Sequence, residues 1–202
     1  MRMLIFSDVH NDFVRLRQLM ETEADYYVAA GDTLTWERGY DEAGEILASR
    51  GGRVLVLPGN HESAARMDAL CRRFGLCQFH RQHIQVAGFH VAGLGYSSPT
   101  PFHTPGEYSE SEMARYLEPF AALDPLILIC HCPPKDTLLD RVREGVHAGS
   151  QAVADFLAQR QPRLFFCGHI HEAEGVEQRI GATVARNVGK RGYLLDFDKL
   201  KL

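Results

Sequence analysis

The chain has 202 residues, of which 45% are hydrophobic and 24% charged, and its formal net charge at pH 7 is −4. This composition favours one folded domain spanning residues 1–202 and excludes a chain that is mainly disordered. No apolar run approaches the roughly 18 residues that a membrane-spanning helix requires, and the basic residues form no stripe of the kind that binds nucleic acid.

The amino terminus and the cysteines both favour a cytoplasmic protein. The apolar stretch in residues 1–6 is too short for a signal peptide, and Asp8 ends it. The chain has five cysteines, an odd number, so they cannot all pair within one chain, which fits a reducing compartment. We therefore expect a cytoplasmic location, with neither a membrane nor nucleic acid among the partners.

Short apolar runs that end in polar or glycine-containing turns recur along the chain. They do not alternate between apolar and polar residues, as expected for strands buried on both faces. In chain order they are residues 2–6, 26–30, 54–57, 126–130 and 164–167. Apolar residues at helical spacing predict helices near residues 13–20, 43–47, 62–70, 109–117 and 150–159. Ser109 and Ser150 are the expected N-caps of the last two.

The alternation of strand and helix indicates an α/β fold. After His171 the pattern changes to strand-like segments around Val176, at residues 183–188 and at residues 193–197, separated by short glycine turns. These segments predict a second, mixed sheet. We therefore expect a four-layer αββα sandwich with two mixed β-sheets.

Chemically active side chains follow the predicted strands. Because ligands of open α/β sheets lie beyond the carboxyl ends of the strands, these side chains are expected to meet in one cleft. Burying so many polar groups without partners would be costly, so packing alone does not explain them. Mixed imidazole and carboxylate groups favour Mn, Fe or Zn over Mg or Ca. The residues concerned are Asp8, His10, Asp32, Asn60, His61, His131, His169 and His171.

Five short motifs carry a resemblance to a known family. They are Asp8-x-His10, Gly31-Asp32, Gly59-Asn60-His61-Glu62, His131 and Gly168-His169-x-His171. In order and rough spacing they resemble the calcineurin-like metallophosphoesterases over almost the whole chain. Residues 93–101, 131–136 and 145–150 also resemble a branch of that family related to cyclic-nucleotide phosphodiesterases.

The resemblance implies a role for each motif residue. The implied ligands of one metal are Asp8, His10, Asp32 and His171. The implied ligands of the second metal are Asp32, Asn60, His131 and His169, so the Asp32 carboxylate bridges the two ions. His61 is not a ligand in the family; it is a catalytic residue that contacts the phosphoryl oxygen or the leaving group.

Two positions depart from the family pattern. Thr35 stands where the family usually has Asp or Asn, three residues after the bridging aspartate, and Asn11 stands where Gly is frequent. Neither change removes an implied ligand. Thr35 is expected to weaken the contacts that support Asp32. Asn11 is expected to change the rim of the loop that follows His10.

The resemblance implies a dinuclear-metal phosphoesterase. It would hydrolyse a phosphate mono- or diester by attack of a metal-bridging hydroxide. The cofactors would be two divalent metal ions, Mn or Fe in the first place and Zn as a third candidate, and the partner a small-molecule phosphate ester. A phosphodiesterase is slightly favoured over a phosphomonoesterase, and a nuclease is least favoured because the chain lacks a basic track.

A non-catalytic scaffold is the alternative function. Such a protein would keep the phosphoesterase fold and act as a binding module. It would be expected to have lost ligands or the catalytic histidine, whereas all seven ligand positions and His61 carry usable side chains.

Histidines outside the motifs differ in what they indicate. His147 lies in a glycine-flanked loop just before a predicted helix, a place suited to an anion, so we expect it to bind substrate. His80, His83 and His90 lie in short strand-like runs and are interpreted as exposed or core histidines without a site role.

Three cysteines lie on or beside the motif strands. Cys130 and Cys132 flank His131, and since side chains alternate along a strand, both thiols are expected to point away from it. Cys167 ends the strand before the last motif. Buried core thiols are the favoured interpretation, with metal ligation as the alternative.

Overall fold

Two β-sheets packed face to face form the centre of the molecule, and the computed structural model describes residues 1–200. The strands of the first sheet are β1 (Arg2–Phe6), β2 (Tyr26–Ala30), β3 (Val54–Leu57), β4 (Cys77–Gln78) and β13 (Tyr193–Asp196). Those of the second are β5 (Gln82–Val86), β6 (Phe89–Leu94), β7 (Leu126–Cys130), β10 (Leu164–Cys167), β11 (Glu177–Ile180) and β12 (Thr183–Asn187). The helices are α1 (Phe13–Glu21), α2 (Tyr40–Ala48), α3 (Ala64–Phe74), α4 (Glu110–Leu117) and α5 (Gln151–Arg160).

Both sheets are mixed. The first has the order β13-β1-β2-β3-β4, with β1 to β4 parallel and β13 antiparallel at one edge. The second has the order β11-β12-β10-β7-β6-β5, with four parallel strands in the middle and an antiparallel strand at each edge. The predicted α/β fold with two mixed sheets is therefore confirmed.

Three apolar layers separate the four structural layers. Helices α1 to α3 pack on the outer face of the first sheet, and α4 and α5 pack on the outer face of the second. Between the sheets, Ile5 and Val28 belong to the same buried cluster as Ile127 and Phe166. A strand such as β1 therefore places Leu4 on the helix side and Ile5 on the sheet side, which explains why these runs are apolar without alternation.

Local sequence determines where the helices begin. The Ser109 hydroxyl accepts a hydrogen bond from the Glu112 N–H, and the Glu112 side chain accepts one from the Ser109 N–H, so α4 opens with the predicted capping box. Ser150 caps α5 by accepting from the Val153 N–H. Both expected N-caps are confirmed.

Two features of the carboxyl-terminal half differ from the expected pattern. Strand β13 pairs with β1 and completes the first sheet, whereas the segments after His171 were expected to build the second. A two-stranded hairpin, β8 (Arg141–Arg143) and β9 (Val146–His147), was not predicted. It is short and mostly exposed, so its sequence lacks the pattern of buried apolar residues from which a strand is predicted.

None of the helices within residues 1–200 combines the length and the hydropathy that crossing a lipid bilayer would need.

Candidate metal centre

The turns after five parallel strands meet at one end of the two sheets. Asp8 follows β1, Asp32 follows β2 and Asn60 follows β3 in the first sheet. His131 follows β7 and His169 follows β10 in the second. Parallel strands present their carboxyl ends at the same edge, so both sheets deliver polar side chains into the cleft between these turns.

All eight predicted side chains come together there. The Asp32 carboxylate oxygen Oδ2 lies 3.6 Å from His10 Nε2 and 3.4 Å from His131 Nε2. His10 Nε2 lies 3.0 Å from His171 Nε2, and Asn60 Oδ1 lies 2.9 Å from His169 Nδ1. His171 Nε2 in turn lies 3.7 Å from Asp8 Oδ1.

Three groups of side chains have potential ligand atoms within 4.8 Å of one another. The groups are Asp8, His10 and His171; His10, Asp32 and His61; and Asp32, His131 and His169. Asp32 belongs to two of these groups, as a bridging carboxylate would. The first and third groups share no residue, and Asp32 Oδ2 lies within 3.6 Å of a histidine of each, so the cluster offers room for two cations.

Motif glycines allow the loops to approach closely enough to form this cluster. A Cβ atom on Gly59 would overlap the Asp32 carboxylate, and one on Gly168 would overlap Ser7 Oγ and Asp8 Oδ2. A Cβ on Gly31 would lie 2.5 Å from His131 Nδ1. Any side chain at these positions would displace a candidate ligand.

Four candidate ligands adopt left-handed backbone conformations. The φ angles are 57° at Asp8, 48° at His10, 51° at Asp32 and 69° at His169. Each such residue costs about 1–3 kcal/mol and persists only where the surroundings determine it, which is typical of functional sites. The loops are therefore shaped to present these side chains rather than to relax the backbone.

Hydrogen bonds from the far side of two imidazoles leave Nε2 facing the cluster. His131 Nδ1 lies 3.0 Å from the Ala30 carbonyl oxygen, which fixes the proton on Nδ1. His10 Nδ1 lies 3.3 Å from Thr35 Oγ1. Asn11 Oδ1 accepts the Thr35 N–H at 3.1 Å. The two residues that depart from the family pattern therefore bond to each other, and Thr35 orients His10.

The orientation of Asn60 is set by a residue that the motifs did not include. The Asn60 amide nitrogen donates to Thr104 Oγ1 at 3.3 Å, and Thr104 donates to Glu107 at 2.6 Å. The amide oxygen therefore turns toward the two histidines, 3.3 Å from His131 Nε2 and 2.9 Å from His169 Nδ1. Thr104 lies 44 residues beyond Asn60, so local sequence carried no sign of this contact.

Glu62 ties two of the ligand loops together. Its fully buried carboxylate accepts the Asp32 N–H at 3.0 Å and the Gly59 N–H at 2.8 Å on one oxygen, and the Leu34 N–H at 2.7 Å on the other. Burial and the neighbouring Asp32 carboxylate raise the pKa of Glu62, while the N–H donors of Gly59 and Leu34 oppose that rise and favour the ionised form. The sequence motif contained Glu62, but its role was not predicted.

The electrostatics of the cluster suit a cation. Burial opposes ionisation of Asp32, yet the charge and hydrogen bond of His131 hold the pKa of Asp32 well below its usual range. The pKa of Asp8 is also lowered: burial would raise it, but the hydrogen bond from His171 and the nearby His131 outweigh that effect. Burial and the proximity of His131 lower the pKa of His169 to about 4, so this imidazole is neutral. Ionised carboxylates and imidazole nitrogens are the donor set that binds Mn, Fe and Zn, and a bound cation would take the place of the proton that Asp32 favours on His131, whose pKa is raised to about 9. These residues therefore fit divalent metal ions.

His61 stands at the mouth of the cluster. Its ring makes edge contacts with His10 at 4.9 Å and with Trp36 at 5.3 Å between ring centroids. The Nδ1 atom of His61 is buried and has no hydrogen-bond partner among residues 1–200. A buried polar atom without a partner is costly, so it is expected to find one in a ligand.

A cavity of about 670 Å³ opens from the cluster, and one of its walls is built by the 135–149 segment. His147 lines this cavity together with six of the eight cluster residues. The structure therefore places the predicted substrate-binding histidine in the same cleft as the candidate ligands. Its ring nitrogen Nδ1 lies 2.7 Å from Oδ1 of Asp140, a buried residue that sequence reasoning did not identify.

The remaining histidines and cysteines lie outside the cluster. Cys130, Cys132 and Cys167 are fully buried in the apolar layer under α4 and α5, which confirms the prediction of core thiols. His80 is buried and bonded to Tyr108 and to the Gly95 N–H, and His83 is exposed.

Comparisons with known proteins agree with this geometry. Residues 1–173 match the sequence profile of the calcineurin-like phosphoesterases. An uncharacterised protein of Methanocaldococcus jannaschii is 29% identical in an alignment 202 positions long, which covers 96% of this chain and 91% of that protein.

Two solved structures are similar in fold. A phosphopantetheinyl hydrolase from Mycobacterium tuberculosis has a TM-score of 0.65 at 18% identity, covering 93% of this chain and 88% of that one. A dimetal phosphatase from Danio rerio has a TM-score of 0.62 at 14% identity, covering 92% and 86%. From the family match over most of its length, this chain belongs to the calcineurin-like phosphoesterases, a family of metal-dependent hydrolases.

Proposed function

We propose that the protein is a dinuclear-metal phosphoesterase that hydrolyses a small-molecule phosphate mono- or diester. The observation that carries this proposal is the position of Asp32, whose Oδ2 lies 3.6 Å from His10 Nε2 in one set of potential ligands and 3.4 Å from His131 Nε2 in the other. A similar fold in a dimetal phosphatase also supports it. The cofactors are two divalent ions, Mn or Fe first and Zn third, in keeping with the imidazole-rich donor set.

The proposed ligands divide between the two cations. Those of one ion are Asp8, His10, Asp32 and His171. Those of the other are Asp32, Asn60, His131 and His169. Two ions at such a site supply charge that activates water and stabilises the phosphoryl oxygens in an in-line displacement. The contribution of the chain is to hold Asp32 ionised between the two sets, with the imidazole protons directed outward by Ala30 and Thr35.

His61 acts on the substrate rather than on a metal in this proposal. Its buried Nδ1 has no protein partner, and its ring is fixed edge-on by Trp36 and His10. An imidazole in this position donates a proton to the leaving oxygen or stabilises charge on the phosphoryl group. Such general-acid assistance contributes typically about 10²–10⁴-fold to the rate.

The first experiment compares two chromogenic substrates with protein loaded with Mn²⁺. We expect hydrolysis of p-nitrophenyl phosphate, bis-p-nitrophenyl phosphate or both, with the diester slightly favoured. Absence of turnover on both esters, in protein shown by elemental analysis to hold the metal, would contradict the proposed activity and favour the scaffold alternative.

Two variants test the assigned roles. His61→Ala is expected to lower kcat about 10²–10⁴-fold while the metal content stays at the wild-type level. Asp32→Ala is expected to lose at least one ion per chain and nearly all activity. His83→Ala, an exposed histidine on β5, is the matched control and should behave as wild type. Loss of both metals from His61→Ala would make His61 a ligand, and full activity of Asp32→Ala would end the two-metal proposal.

A further inference from the structure

The segment between β7 and α5 is organised around one buried carboxylate. Asp140 is fully buried, and its two oxygens accept backbone N–H groups from Asp136 at 3.1 Å, Thr137 at 2.8 Å and Gly149 at 3.0 Å. These donors come from both ends of the segment, so Asp140 closes it into a loop. A Cβ on Gly149 would lie 2.8 Å from the Asp140 Cβ, so glycine is required for this closure.

The same carboxylate holds His147. His147 Nδ1 lies 2.7 Å from Asp140 Oδ1, and the side chain of His147 remains 28% exposed. Because a carboxylate only accepts, the Nδ1–H donates to Asp140, and in the imidazolium form the Nε2–H is left to donate to another partner. Among residues 1–200 no further hydrogen bond to this ring is present. The orientation of His147 is therefore fixed from behind, with its second nitrogen available in the cavity that it lines.

Lys135 supplies a cation on the same wall. It lines the 670 Å³ cavity, is exposed, and takes part in no ion pair within residues 1–200. Its backbone is fixed because the Lys135 N–H donates to the Ser150 carbonyl at 3.0 Å. Glu110 also lines the cavity, and one oxygen of its carboxylate, Oε2, accepts the Ser150 hydroxyl at 2.7 Å and the Ala152 N–H at 2.8 Å.

The size and surface of the cavity match an organic group attached to the reacting phosphate. Its volume of about 670 Å³ is in the range of small-molecule sites, which is about 300–1,000 Å³. Phe102 lines it with 73% of its surface exposed and offers an apolar face. An ester bound at the metal cluster therefore has space to extend past Phe102 toward Lys135 and His147.

We propose that Lys135 and His147 form a second anion-binding point, which recognises a carboxylate or phosphate on the non-reacting part of the substrate. Asp140 is the positioning residue for His147. This inference rests on the proposed function, because it assumes that the reacting phosphate lies at the metal cluster. The substrate class is then a phosphate ester whose organic part carries its own anionic group.

The test measures binding, so that it does not depend on turnover. Phenylphosphonate and 4-carboxyphenylphosphonate, which are not hydrolysed, are titrated calorimetrically into Mn²⁺-loaded protein, and 1,4-phenylenebisphosphonate distinguishes a phosphate from a carboxylate as the second group. We expect wild type to bind one of the two probes that carry a second anionic group at least about tenfold more tightly than phenylphosphonate, as one charge-assisted contact would give.

Variants test which residues cause the tighter binding of the probe with two anionic groups. Lys135→Met and His147→Ala are each expected to reduce this preference to near unity while the affinity for phenylphosphonate is kept. Arg141→Met is the control and should keep the preference. Arg141 is an exposed cation on the same hairpin as His147, but it does not line the cavity. Equal affinity of wild type for all three probes, failure to bind any of them, or an unchanged preference in both variants would overturn the proposal.

The role of Asp140 has its own spectroscopic readout. With the probe bound, the ¹⁵N shifts of His147 in wild type should report protons on both ring nitrogens, and in Asp140→Asn this doubly protonated ring should be lost together with the preference. Retention of the doubly protonated ring in folded, probe-bound Asp140→Asn would remove Asp140 from the proposal. Failure of the proposed hydrolysis is seen separately with p-nitrophenyl phosphate and bis-p-nitrophenyl phosphate and leaves the probe preference measurable.

Discussion

Replacement of Glu62 should weaken both the fold and the metal site, because one buried carboxylate serves three backbone donors. A buried N–H that loses its acceptor costs about 1–3 kcal/mol. Glu62→Ala abandons the N–H groups of Asp32, Leu34 and Gly59, so we expect a loss of about 3 kcal/mol or more. That is a large share of the roughly 5–15 kcal/mol by which a domain is usually stable.

Glu62→Gln is the finer perturbation. A glutamine carbonyl in the place of Oε2 keeps the bonds from Asp32 and Gly59, but its amide then faces the Leu34 N–H, which Oε1 accepts at 2.7 Å in wild type. One abandoned donor costs about 1–3 kcal/mol, which lowers the urea midpoint by about 1 M at ordinary m-values. Because the same bonds hold the Asp32 loop, Mn²⁺ affinity should fall about 10–100-fold.

Urea unfolding followed by circular dichroism and calorimetric Mn²⁺ titration measure the two effects. Glu45→Gln, which makes the same substitution at an exposed position of α2, is the matched control and should change neither. A Glu62→Gln protein that unfolds at the wild-type urea concentration and binds Mn²⁺ with wild-type affinity would refute the reasoning.

Two further predictions concern other parts of the fold. Burial lowers the pKa of His80 to about 3, so the unfolded chain binds a proton that the folded chain does not as pH falls below about 6.5. As pH falls from 6.5 to 3, His80 should therefore lower the free energy of unfolding by up to about 1.4 kcal/mol per pH unit. Denaturant unfolding of wild type and His80→Gln measures this contribution, which the variant should lack. Gly59→Ala should lose metal affinity because the added Cβ overlaps the Asp32 carboxylate, whereas Gly52→Ala, where a Cβ meets nothing within 4 Å, should bind Mn²⁺ normally. Equal affinities of the two variants would contradict the close approach of Gly59 to Asp32.

Strand ends and capping residues were predictable because their causes are local. The five unalternating apolar runs coincide with β1, β2, β3, β7 and β10, since a strand buried on both faces must be apolar at every position. The residues that follow these runs form the candidate site because the carboxyl ends of parallel strands lie at one edge of a sheet. The rule that polar groups gather beyond the carboxyl ends of parallel strands needs no further information about the fold.

Contacts between distant segments were not predictable in this way. The role of Thr104 depends on a contact with Asn60, 44 residues away, that forms only in the folded chain. The bond between Asp140 and His147 is closer in sequence, but it depends on the closure of an irregular loop that no periodicity marks. Strand β13 joins the first sheet because β1 has a free edge, which a pattern read along the chain does not reveal. The Thr35 side chain illustrates the same point, since its bond to His10 is evident only from the approach of the two loops.

Anomalous diffraction from crystals soaked in Mn²⁺ tests the proposed dinuclear centre most directly. Two peaks are predicted about 3.5–4 Å apart, with the Asp32 carboxylate between them and the other proposed ligands divided around them. A single peak, or peaks away from Asp32, would contradict the account.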